Sequence, residues 1–132
     1  MVLNNDKSED KEYSIWLGDD GIVRIKIGEV MNEMIVEKLI KDVREISEKS
    51  STKLNLLIDL GFRVKTYSSL LRKRIMGLMM TAFKELRFEK VVIYGGGTLQ
   101  RITASFIIAT SNLKNIKYLR TEEEALKWLK EG

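Results

Sequence analysis

The segment Leu54-Asn55-Leu56-Leu57-Ile58-Asp59 is apolar on nearly every position rather than on alternate ones. Successive side chains of a strand point to opposite faces, so such a run suits a strand covered on both sides of its sheet. Lys90-Val91-Val92-Ile93-Tyr94 is a second β-branched strand, and a long helical pattern separates the two. Strands alternating with helices predict an α/β layer with mainly parallel pairing, joined by right-handed crossovers.

The remaining elements arrange themselves around this unit. Tyr13-Ser14-Ile15-Trp16-Leu17 and Ile22-Val23-Arg24-Ile25-Lys26-Ile27 alternate in a strand-like way. Between them Gly18-Asp19-Asp20-Gly21 offers the Asp-Gly step of a tight hairpin, with Asp19 and Asp20 expected in solvent. A helix over 32–49 repeats Met34, Ile35, Leu39, Ile40, Val43 and Ile46 at helical spacing, and Ser50-Ser51-Thr52 breaks it. A long helix starts at Ser68 or Ser69 and runs to about residue 86. Thr98 is the expected N-cap of a helix ending near residue 111. Ile116-Lys117-Tyr118-Leu119 reads as the last strand. Thr121 and Glu124 then have capping-box spacing, and the helix they open buries Ala125, Leu126, Trp128 and Leu129. The prediction is a flexible tail over 1–11 and one α/β domain over 12–132. Its order is β-β-α-β-α-β-α-β-α, a mixed, mainly parallel sheet with helices largely on one face.

Composition narrows the chemistry. The 132 residues include no Cys and no His, which excludes thiolate and Ser-His-Asp catalysis and Cys-based zinc sites. No metal constellation and no cofactor motif is visible. The net charge is modest, 23 basic against 19 acidic residues, or +4. It is unevenly placed: residues 61–90 hold Arg63, Lys65, Arg72, Lys73, Arg74, Lys84, Arg87 and Lys90 against Glu85 and Glu89, or 8 − 2 = +6. Without a recognised motif or an aromatic platform this does not predict nucleic-acid binding. No run approaches the roughly 18 apolar residues of a membrane span, so the expected location is cytoplasmic, with membrane contact at most peripheral.

The hairpin, Leu56-Leu57-Ile58-Asp59-Leu60, Val91-Val92-Ile93-Tyr94 and the closing Thr121-Glu122-Glu123-Glu124-Ala125-Leu126-Lys127-Trp128-Leu129 together resemble a STAS domain. This is the sulfate-transporter and anti-sigma-factor-antagonist fold, and within it the chain is most similar to the SpoIIAA-like group. The resemblance covers nearly everything from Tyr13 onward. It implies a regulatory, protein-interacting module without enzymatic activity, whose partner is a kinase or another regulator. Antagonist members carry an Asp-Leu strand end, then Asp-Ser-Ser-Gly at the next helix, where one serine is phosphorylated. Asp59-Leu60 takes the strand end, Ser68 and Ser69 fall on the two serines, and Ser69 takes the acceptor place. Tyr67 stands where that motif has Asp, and Leu70 where it has Gly.

Read from the residues themselves, each site keeps a plainer alternative. Ser68 and Ser69 head a helix, where phosphate would meet free N–H groups with Arg72 and Lys73 nearby, or where serines merely cap. Gly95-Gly96-Gly97-Thr98 joins a strand to a helix and either cradles an anion or nucleotide phosphate on bare amides, or is a turn needing positive φ. The Met-rich helix places Met76 and Met80 toward a flank. They belong to a deeper core, a self-association or partner face, or the wall of a pocket for an apolar ligand. The helix over 98–111 is either well covered or one side of a homodimer. Asp59, at a strand end, is the best acid–base candidate should the protein be an enzyme. The favoured function is a non-enzymatic interaction module using Ser69, Ser68, Arg72, Lys73 and Gly96 as one contact zone. The alternative is a binding protein for a lipid-like ligand, a role to which a distantly related lipid-transfer fold lends weight.

Overall fold

The computed structural model describes residues 13–28, 32–60, 69–86 and 88–131, with backbone alone for 69–73, 75, 76, 99, 103 and 107. The expected tail over 1–11 and the loop over 61–68 lie outside the described residues. The elements are β1 (Tyr13–Leu17), β2 (Ile22–Ile27), α1 (Glu33–Glu48), β3 (Asn55–Asp59), α2 (Ser69–Leu86), β4 (Val91–Tyr94), α3 (Thr98–Ser111), β5 (Ile116–Leu119) and α4 (Glu122–Lys130). They follow the order read from the sequence.

The sheet runs β1-β2-β3-β4-β5 without a reversal. β1 and β2 pair antiparallel through a turn in which Gly21 has φ +78°, and the other three pairings are parallel. Three crossovers of one hand, all stepping in one direction, must place α1, α2 and α3 on one face. The burial follows that geometry. Val23, Ile25, Leu56, Ile58, Val91 and Ile93 join one core with residues of α1, α2 and α3. On the reverse face Ile22, Leu57 and Val92 pack on Ala125 and Leu129 of α4. Leu56, Ile58, Val91, Val92 and Ile93 are wholly buried, and each such side chain contributes about 1.5–3 kcal/mol by leaving water.

The helices show where periodicity was read well and where it slipped. α1 is capped by Asn32, whose side-chain oxygen accepts from the Ile35 N–H at 2.9 Å. It buries Ile35, Val36, Leu39, Val43 and Ile46. Met34, expected in that stripe, is 78% exposed, because it lies about 160° around the helix from Val36 and about 140° from Leu39. α2 buries Met79, Met80, Ala82 and Phe83. Met80 is thus a core residue, 5% exposed, rather than part of an outward flank. α3 begins one residue earlier than a Thr98 cap would allow. Gly97 is its N-cap, and the Gln100 side chain accepts from the Gly97 N–H at 3.0 Å. α4 is capped by Thr121, which accepts from the Glu124 N–H at 3.1 Å. The return bond of the capping box is displaced by one residue, since Glu124 accepts from the Arg120 N–H.

At the far end of α4, Lys90 ties the helix to the sheet. Lys90 Nζ donates to the carbonyls of Trp128 and Glu131, both at 2.9 Å, and lies 5.0 Å from the centre of the Trp128 ring. A cation at a helix C-terminus satisfies orphan carbonyls and meets the negative end of the dipole. Lys90→Met is expected to lower stability by about 1–3 kcal/mol, read as a fall in the urea midpoint with an unchanged slope. In contrast Gly77, mid-helix in α2, would bring an added Cβ within 4 Å of nothing. Gly77→Ala should raise stability by roughly 0.5–1 kcal/mol, and a loss instead would show that the site needs glycine.

Candidate functional site

Parallel β-α-β units bring the carboxyl ends of their strands and the starts of the following helices to one edge of the sheet. Here that edge holds Asp59 and Leu60 at the end of β3, Tyr94 to Gly97 at the end of β4, and the first turns of α2 and α3. The two strand ends are joined directly. The Leu60 N–H donates to the Tyr94 carbonyl at 2.9 Å. Gly96, at φ +79°, approaches Leu60 so closely that an added Cβ would lie 3.1 Å from the Leu60 Cβ. Both the left-handed backbone and the lack of space call for glycine at this position. Gly95, at φ +84°, is held by the Tyr118 hydroxyl, which donates to its carbonyl.

This geometry supports the turn reading of the three glycines. The Gly97 N–H, one of the amides that would face an anion, is already bonded to Gln100. Gly97 and Thr98 are exposed, and Thr98 is the first helical residue rather than the cap. The strand order also lacks the reversal that opens a ligand crevice in doubly wound sheets.

Asp59 has a partner that reading along the chain did not reveal. Register aligns Lys26, Asp59, Tyr94 and Leu119 across four neighbouring strands, all on the α4 face. The Tyr94 hydroxyl is hydrogen-bonded to Asp59 and lies near Glu122 and Arg24. Burial, followed by the negative charges of Asp59 and Glu122 and the bond to Asp59, holds that hydroxyl well above the ordinary tyrosine range. The group is therefore a fixed donor at neutral pH. Arg24 is itself engaged, donating to both carboxylate oxygens of Asp20 at 3.0 Å. Asp20 is thus paired rather than merely solvated, and the guanidinium holds its carboxyl below the usual carboxylate range. The alternation of β3 and β4 carried the missing signal: Leu57 and Asp59 share a face, as do Val92 and Tyr94, so two parallel neighbours must bring Asp59 and Tyr94 together.

Among the other expected residues, Ser69 is the first residue of α2, and Arg72, Lys73 and Met76 lie on its backbone in the first two turns. Ser68 lies outside the described residues, as do the side chains of those four. Arg74 locates this end of the helix, since its Nε is 2.6 Å from Glu33 at the start of α1. The well-covered alternative for α3 fails, because Ile102 and Phe106 are 56% and 58% exposed. Among the described residues no three acidic side chains cluster to hold a metal, and no helix is long and apolar enough to cross a membrane.

Fold and edge together define an α/β module of the STAS class, with one helical layer on the sheet and a closing helix behind it. The SpoIIAA-like family model matches residues 22–130, from β2 to the last residue of α4, and the chain belongs to the SpoIIAA-like family. No curated protein matches the chain.

The raised Tyr94 fixes the sign of one pH effect. Its proton is held more tightly in the folded chain than in the unfolded one. The stabilisation is therefore complete below the ordinary tyrosine value of 10.0 and is lost as pH rises above it. Tyr94→Phe should remove part of the alkaline loss of stability, measured as urea midpoints from pH 9 to pH 12, and leave the midpoint's pH dependence below pH 9 unaltered.

Proposed function

We propose that the protein is a non-enzymatic regulatory module that binds another protein through the edge formed by the ends of β3 and β4 and the start of α2. The observation that carries this reading is the contact of Leu60 with Gly96, which welds the two strand ends into one continuous surface. α2 begins at Ser69, so the acceptor place suggested by the family resemblance falls at a helix N-terminus. A phosphate on Ser69 would meet unpaired backbone N–H groups and the positive end of the helix dipole. Its recognition would be local, adding charge at the edge without disturbing the core. Asp59 serves this module by orienting Tyr94, and the pair is positional rather than a source of turnover.

A lipid-like ligand has less support. The described groove next to the Met-rich helix lies between α1 and α2, about 380 Å³, and is lined by Gly77, Leu78 and Ala82 rather than by Met80. Its charged groups already pair with one another across the two helices.

Incubation of the purified protein with cell lysate and ATP, followed by phosphosite mapping, should label Ser69 or Ser68. Labelling confined to other residues would remove the switch from the proposal. Ser69→Asp should keep the melting temperature within about 2 °C of the parent while changing partner affinity. A large fall in melting temperature would instead assign Ser69 a structural role.

A further inference from the structure

The outer surface of the helical layer carries a ridge and a groove that the edge reading leaves unused. The ridge is on α3, where Ile102 and Phe106 are more than half exposed one turn apart. The exposed residues beside them, Ser105, Ala109 and Thr110, are uncharged. The groove lies between α1 and α2. Its charges sit at the two ends and neutralise each other: Arg74 with Glu33 at 2.6 Å, and Arg44 with Glu85 at 3.7 Å. On each helix the paired residues are eleven positions apart, a span of about 16 Å at 1.5 Å per residue. Between the pairs the lining is Ile40, Gly77, Leu78, Thr81 and Ala82. Space is open above Gly77.

We infer that two copies of this chain pair through this surface, each laying its Ile102–Phe106 ridge into the α1–α2 groove of the other. The lengths agree, since residues 102 to 110 span about 12 Å of helix, inside the 16 Å between the ion pairs. The polarity agrees as well. An uncharged ridge meets an uncharged stretch of lining, and Arg74 and Arg44 stay paired with Glu33 and Glu85 at the groove's ends.

Symmetry is the second argument. α1, α2 and α3 lie side by side, so ridge and groove face the same way, offset by about one and a half helix spacings, roughly 15 Å. A two-fold axis parallel to the helices and midway between them exchanges ridge for groove. Both contacts then form at once and the assembly closes at two copies, as an isologous interface requires. The whole outer face of three helices of 14 to 18 residues bounds the contact at on the order of 600 Å² per copy, about 1,200 Å² in all, the size at which stable interfaces begin.

Sedimentation equilibrium of the full chain tests this, with twice 15.2 kDa expected. Phe106→Asp, at a position too exposed to serve the core, should weaken association roughly thirty-fold or more while keeping the melting temperature. Gly77→Trp, which fills the groove from the opposite side, should do the same and guards against misfolding of the first variant. The chain has no cysteine, so engineered ones report cleanly. A mixture of Phe106→Cys and Gly77→Cys proteins should form a mixed disulfide on oxidation, whereas neither alone should cross-link. A monomer at all concentrations, a monomer carrying a co-purified lipid, open polymers, or self-cross-linking of Phe106→Cys alone would each overturn the proposal. None of these readouts touches Ser69 or the sheet edge, so the module reading stands or falls separately.

Discussion

The unbroken strand order governs everything else in this protein. Because β2, β3, β4 and β5 follow one another across the sheet, each crossover has the same hand and each helix lands on the same side. Three helices therefore share one core, while the reverse face of β3 and β4 is covered by α4. The doubly apolar character of the two central strands is the sequence record of this arrangement. A reversal of strand order would have opened a crevice, but this sheet offers an edge and a surface.

Most of the fold was legible because its elements obey simple periods. Period two marked the hairpin, continuous apolar runs marked the central strands, and the closing helix announced itself through Thr121. What escaped notice depended on relations between elements. Met34 and Val36 differ only in rotation about α1, which the apolar count did not resolve. Gly97 replaced Thr98 as a cap because Gln100 reaches back to its N–H, a bond between residues whose types alone do not demand it. The exposure of Phe106 depends on how α3 sits beside α2 and β5. The Asp59–Tyr94 pair joins residues thirty-five positions apart, and only the parallel register makes them neighbours.

Several polar groups of the sheet are answered within the fold, while the Asn55 side-chain oxygen is buried without a hydrogen-bond partner. Tyr94 is held by Asp59, Arg24 by Asp20, and Lys90 by the carbonyls that end α4. The surfaces proposed for recognition, the glycine-bordered edge and the apolar outer layer, lie elsewhere.

The position of α4 has a consequence for how the molecule is made. All five strands precede it in the chain. A chain whose sheet has formed leaves Ile22, Leu57 and Val92 facing solvent until α4 docks over them. That state, with the reverse face of the sheet still bare, is when the protein is most prone to stick to its neighbours.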